Sequence, residues 1–311
     1  MQALYAFYQS GEDRMDRAEK QMMLNTERIY DLFIHQLSVL VEIIEFARKN
    51  METGKQKYFP TDEEKNPSLK FTENRIIAII ENNNAYRRHF DALRINWSEE
   101  QDLFRKLYLQ IRETDEYKTY MSSEKNNFEE DRRFIITLFR DFLADNQQLQ
   151  QYYEEKNIFW VDDYDIVSYM IIKTLNGFSV KMDEFAPLPD LFIKPGENED
   201  DEMEDKAFMK DLFRKTIVNT QKYDELIAAK AEHWEIERIA LMDTILLRMA
   251  LCELMSFTSI PVKVTLNEYI EISKMYSSAK SKVFINGLLD KLITQLKEEQ
   301  KIRKTGRGLM E

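Results

Sequence analysis

Ser68-Leu-Lys-Phe-Thr-Glu-Asn-Arg-Ile-Ile-Ala-Ile-Ile-Glu81 opens, and Tyr164-Asp-Ile-Val-Ser-Tyr-Met-Ile-Ile-Lys-Thr-Leu-Asn176 closes, a stretch with neither Gly nor Pro. Only a helical chain tolerates so long a run without turn punctuation. The whole 311-residue chain has 7 Gly and 6 Pro. Sandwiches and barrels need such residues in many turns, and doubly wound nucleotide folds need glycine loops over phosphates. An all-α fold with essentially no sheet is therefore expected. Hydrophobic residues at 43% supply a core, and charged residues at 32% supply solvated helix surface.

Helical periodicity extends outward from that stretch. A first helix runs from Gln2 to Gln9 and breaks near Gly11. A second covers about Asp13 to Asn50, with Leu32, Phe33, Leu37, Leu40, Ile43, Ile44 and Ala47 on its apolar face. Met51 to Leu69 reads as a loop, punctuated by Gly54, Pro60 and Pro67; Gly177 to Pro195 reads as another. Residues 197–205 hold seven acids in nine positions, a solvated acidic linker. The chain thus divides into a first helix (1–10), a helical region (11–196), the linker (197–205) and a C-terminal module with a basic tail (206–311). The charge changes sign at the linker. Lys206 to Glu311 carries 18 Lys+Arg against 14 Asp+Glu, while the preceding residues carry 26 against 42. Any polyanion contact belongs to the C-terminal module.

An internal repeat is visible. Asp131–Leu175 lies over Asp205–Met249 at a constant offset of 74 without gaps. Phe134 meets Phe208, Leu138-Phe139-Arg140 meets Leu212-Phe213-Arg214, and Trp160 meets Trp234. A fainter third copy surrounds Trp97, with Phe71 in the place of Phe134. Each tryptophan precedes acids, a helix-start signature. Stacked helical repeats read as architecture rather than catalysis.

The single cysteine, Cys252, excludes an intrachain disulfide and reads as a small core residue. The apolar run Ile239 to Phe257 is broken by Asp243, Arg248 and Glu253, which argues against a membrane span. With no signal segment, a reducing cytoplasm is the expected home. No phosphate loop, dinucleotide fingerprint or zinc motif occurs. His35, His89 and His233 are scattered on helices, as exposed or interfacial residues. No catalytic residue, cofactor or metal is expected, so the chain does not read as an enzyme.

The C-terminal module carries an ordered series of helix signals. Ile236 to Met255 is apolar nearly all round, a central buried helix in which at least one of the three charges must reach a partner or the rim. Pro261 breaks the chain, and Thr265-Leu-Asn-Glu268 reads as a capping box opening the next helix. Ser277 to Lys282 forms a joint. The last helix carries Phe284, Leu288, Leu292 and Leu296, and Gly287 inside it suggests a close helix contact.

Ile245-Leu-Leu-Arg-Met-Ala-Leu-Cys-Glu-Leu254, Pro261-Val-Lys-Val-Thr-Leu-Asn-Glu-Tyr-Ile-Glu-Ile-Ser-Lys274 and Lys282-Val-Phe-Ile-Asn-Gly-Leu-Leu-Asp-Lys291, in this order, closely resemble the NusB family of transcription antitermination factors. Met1-Gln-Ala-Leu-Tyr-Ala-Phe-Tyr-Gln9 resembles the family's first helix. The resemblance covers about residues 1–10 and 205–297, with a large helical insertion of degenerate repeats between. It implies two packed helical subdomains, no catalysis, and binding of boxA RNA together with NusE, the small-subunit ribosomal protein, within the RNA polymerase antitermination complex that serves ribosomal RNA synthesis. It implies that Tyr5 and Asp243 face NusE. It places Tyr276, Lys280, Lys282 and Phe284 on the RNA side, where lysines meet phosphates and an aromatic stacks a base. Arg248, Asn267 and Asn286 match as structural residues holding helix ends and the buried centre. The family's arginine-rich arm before the first helix has no counterpart here, since the first basic residue is Arg14; either the true start lies upstream, which is the favoured expectation, or the arm has been lost, and in both cases the chain as given is expected to bind boxA poorly alone. A protein-only scaffold is the competing reading, an accessory domain of an RNA methyltransferase a weaker one, and a homodimer is left open.

Overall fold

The computed structural model describes residues 1–11, 13–59, 61, 65–192, 205–231 and 239–310. Every regular element among them is helical. They form two compact units, Met1–Leu24 with Phe192–Glu311, and Asn25–Leu191.

In the first unit the organising element is α12 (Leu241–Ser256), labelled in a series that begins with α1 (Gln2–Ser10), α2 (Met15–Lys55), α3 (Arg75–Asn82), α4 (Asn84–Ala92), α5 (Gln101–Glu113), α6 (Asp115–Ser122), α7 (Phe128–Leu138), α8 (Gln147–Lys156) and α9 (Tyr164–Gly177), and continues through α10 (Asp205–Val218) and α11 (Thr220–Lys230). After α12 come α13 (Val262–Tyr276) and α14 (Ala279–Glu298). Helix α12 is buried on all sides, from Thr244 to Leu254 apart from half-buried Arg248. Helices α1, α10, α11, α13 and α14 pack around it. Cys252 is wholly buried there, and burial raises its thiol pKa. The expectation that one charge of this helix must find a partner is exceeded, because all three do. The Ser277 hydroxyl donates to Asp243. Arg248 forks onto Asp224 at 2.7 and 2.8 Å. The Tyr269 hydroxyl donates to Glu253 at 3.0 Å.

The second unit is built around the middle of α2. Leu32, Phe33, Ile34, Leu37, Leu40, Ile43 and Ile44 are buried in one cluster with isoleucines of α3 and aromatic and aliphatic side chains of α4 to α9. Trp97 and Trp160 reach inward: Trp97 donates to the Ser38 hydroxyl at 3.0 Å, and Trp160 to the Arg28 carbonyl at 2.8 Å. His35 lies between these two rings, 6.4 and 4.9 Å away, and burial lowers its pKa. It is thus a piece of the aromatic core rather than an interfacial residue. Buried Asp131 joins α3, α6 and α7, accepting from Tyr120 at 2.8 Å and from the Arg75 guanidinium at 2.7 Å.

Several local expectations need correction. Helix α2 continues through Met51 and Gly54 to Lys55, since one glycine in a final turn costs only about 1 kcal/mol. The Thr265 capping box is not used: α13 begins at Val262, with Pro261 at its N-cap, and Thr265 is buried one turn inside, its hydroxyl directed at the Pro261 carbonyl. Gly287 makes no close helix contact, because a side chain there would meet nothing within 4 Å. Asn267 and Asn286 stand in helix interiors, not at helix ends.

The repeat has a structural counterpart. At the offset of 74, α8 falls on 221–230 and α9 on 238–251, against α11 at Thr220–Lys230 and α12 at Leu241–Ser256. Leu138, Phe139, Leu149, Tyr153, Ile171 and Leu175 are buried, as are Leu212, Phe213, Tyr223, Ile227, Ile245 and Met249 at the matching positions. Trp234, His233 and the linker residues 197–204 lie outside the described residues. The third copy does not hold, because Phe71 sits in a turn before α3 whereas Phe134 is inside a helix.

Candidate nucleic-acid and partner interfaces

The joint between α13 and α14 is built from serines. Ser277 donates to buried Asp243, tying the joint to the central helix. Ser278 caps α14, its hydroxyl accepting from the Ser281 N–H at 3.1 Å. Helix α14 therefore starts at Ala279, earlier than a joint extending to Lys282 would allow, and Lys280 and Lys282 stand exposed in its first turn. That turn contains no acid. Free N–H groups, the positive end of the helix dipole and two lysines together favour an anion. Tyr276 is half-buried beside them, and half-buried Phe284 packs on the core. Sequence reasoning missed two neighbours, Met275 (73% exposed) and Val283 (72% exposed). The signal was available: Val283 is off the Ile285, Leu289, Leu292 and Leu296 stripe, so an apolar side chain there has no core to fill.

The other face involves α1 and α11. Leu4 is buried while Tyr5 is 38% exposed, its hydroxyl accepting from Gln9 at 3.3 Å. Tyr8 bonds Thr220 at 2.8 Å, and the Arg248 guanidinium lies 4.9 Å over the Tyr8 ring. An open hollow of about 560 Å³ adjoins, lined by Ile217, Val218, Thr220, Gln221, Asp224, Glu225 and Ala228. Asp243 does not share this exposure. It is 4% exposed and already bonded to Ser277, so it acts here as the anchor of the α13–α14 joint.

Ionisation follows burial at the far end of α12. Burial raises the Glu253 pKa, with the Thr265 and Tyr269 hydroxyls opposing. Lys304 donates to the Phe257 carbonyl at 2.9 Å, and burial lowers its pKa to about 8. Among the described residues, no group of His, Cys, Asp and Glu can hold a metal ion, and no helix is long and apolar enough to cross a membrane.

The sequence profile of the NusB family matches residues 169–294. A transcription antitermination protein NusB from Salinibacter ruber is 42% identical over 111 residues, which cover 36% of this chain and 69% of that protein. The chain belongs to the NusB family. The NusB protein of Koribacter versatilis is 41% identical over 105 residues, 34% of this chain and 72% of its own length. That of Chloroherpeton thalassium is 40% identical over 106 residues, 34% of this chain and 50% of its own length. No solved structure matches. The family match contains Asp243, Tyr276, Lys280, Lys282 and Phe284, and it includes only the last residues of the unit Asn25–Leu191. Most of that unit is thus outside what this chain shares with its NusB family.

Proposed function

We propose that the chain is a non-enzymatic, cytoplasmic transcription antitermination factor that binds boxA RNA together with NusE in the RNA polymerase complex. The observation that carries this reading is the serine-capped start of α14, with exposed Lys280 and Lys282 and no acid in the first turn, inside the segment shared with the family. Lys280 and Lys282 contact phosphates, Tyr276 supplies a stacking face, and Phe284 braces the turn from the core side. Tyr5 contributes to the NusE surface, and Asp243 supports the RNA-facing joint through Ser277. The charge reversal along the chain, with 18 Lys+Arg against 14 Asp+Glu in residues 206–311, fits one basic binding module.

A gel shift with boxA RNA, with and without NusE, tests the reading. Binding that is tighter with NusE than without is expected. A NusE complex that leaves boxA no better bound than an unrelated RNA would favour the protein-only scaffold instead.

A further inference from the structure

The second unit exposes an unusual amount of apolar surface over a short stretch. Ile158 (71%), Phe159 (52%), Val161 (42%), Ile166 (51%) and Tyr169 (62%) all face outward. They occupy the 3-10 segment Ile158–Asp163 and the first two turns of α9. Residues i and i+3 eclipse in a 3-10 turn, which aligns Ile158 with Val161. Ile166 and Tyr169 are one turn apart on the α9 face opposite Val167, Ile171 and Leu175, which are buried. This segment is therefore two-sided: one face completes the core, and the other is apolar without core contacts. Isolated exposed apolar residues are ordinary, but five within twelve positions mark a contact surface.

The flanking charges select the occupant. Exposed Glu154, Glu155, Asp162 and Asp165 and half-buried Asp163 flank and interleave these residues along the chain. Two nearby cations are engaged on rings, Arg28 5.4 Å over Phe159 and Lys156 5.1 Å over Tyr152, while Lys173 stands exposed one turn beyond Tyr169 and is outnumbered by the carboxylates. Residues 25–191 carry 31 Asp+Glu against 22 Lys+Arg. A nucleic acid would meet repulsion here, and a second copy of the chain would bring a second acidic rim to the first. We infer that Ile158, Phe159, Val161, Ile166 and Tyr169, flanked by these carboxylates, form a docking surface for a basic amphipathic helix of a partner protein. Leucine-like side chains of the partner cover the apolar strip, and its lysines or arginines meet the acidic rim. The Asp163 carboxyl, pushed up to about 6 by burial and then by Asp162, would gain from such a cation.

The test uses the full chain and a synthetic Leu/Lys peptide of about five helical turns, with leucines on one face. Two controls replace Leu by Ser or Lys by Glu. Calorimetry should detect the Leu/Lys peptide alone. Ile166→Ser with Tyr169→Ser, and separately Asp162→Lys with Asp165→Lys, should each weaken it roughly tenfold or more, with unchanged circular dichroism. These positions are at the surface, so folding should survive. No binding, equal binding by the Ser/Lys peptide, or equal binding by the variants overturns the inference. So does a sedimentation dimer abolished by Ile166→Ser with Tyr169→Ser, which would assign the patch to a second copy. A loss of boxA affinity in that same variant would assign it to RNA, and overturns it equally.

Discussion

Each unit has a central helix buried nearly all round, and the two solve the problem of polar groups inside differently. In the first unit α12 carries Asp243, Arg248 and Glu253, held by Ser277 of the α13–α14 joint, Asp224 of α11 and Tyr269 of α13. In the second, the middle of α2 carries neutral Gln36 and Ser38, and the Gln36 carbonyl oxygen has no hydrogen-bond partner. A buried charge tolerates little change in its surroundings, because losing one partner strands the other. A buried amide is forgiving. The charged helix thus fixes where α13 and α14 stand, and with them the basic turn. The neutral helix organises a core whose outer surface is acidic and apolar.

This contrast makes Asp243→Lys the most damaging change considered. It buries a cation without a partner where Ser277 needs an acceptor, and should cost about 3–5 kcal/mol by thermal or chemical unfolding. An expectation that Asp243 serves only as a partner contact would leave the melting temperature unchanged, so an unaltered melt would break the comparison.

A smaller effect is expected from pH. The Lys304 ammonium has its pKa lowered to about 8 from an ordinary 10.5. Between those values the unfolded chain holds a proton that the folded chain has released, so this group makes stability rise with pH across that window. Below pH 8 both states are protonated and the charged lysine carries its full burial cost. Lys304→Met should flatten the dependence of melting temperature on pH between 8 and 10. A slope equal to that of the parent protein would show that Lys304 is not its source.

The smallest effect belongs to the second unit. Gln36→Leu removes a carbonyl oxygen without a partner and keeps the volume, so stability should stay level or rise by up to about 1 kcal/mol. A loss comparable to that of Asp243→Lys would show that both central helices depend on their polar groups equally.

How much of this was legible in the sequence differs between the units for the same reason. Gly and Pro scarcity gave the helices, and the apolar stripe of α2 gave the second core. The order of motifs from Ile245 to Lys291 gave the family. Spacing did not give partners across helices. That Arg248 would fork onto Asp224, or Asp131 onto Arg75 and Tyr120, depends on how helices cross, and no local pattern encodes it. The capping-box signature at Thr265 is present, but the helix begins one turn earlier, at Val262 directly after Pro261, so Thr265 falls inside it. Gly287 inside a helix suggests a packing position, yet it faces open space. The exposed strip from Ile158 to Tyr169 was hidden because its residues look like core until the opposite face is seen to be filled.

The central claim is that the basic first turn of α14 carries the RNA contact. It is tested most directly by fluorescence anisotropy of boxA RNA with NusE across a salt series, using the full chain and Lys280→Ala with Lys282→Ala. Each phosphate contact to a single strand contributes about 0.7 to the slope of log affinity against log salt. The double variant should bind more weakly and have a slope shallower by up to about 1.4, with an unchanged melting temperature because both side chains are exposed. Equal affinity and equal slope for the two proteins would contradict the account.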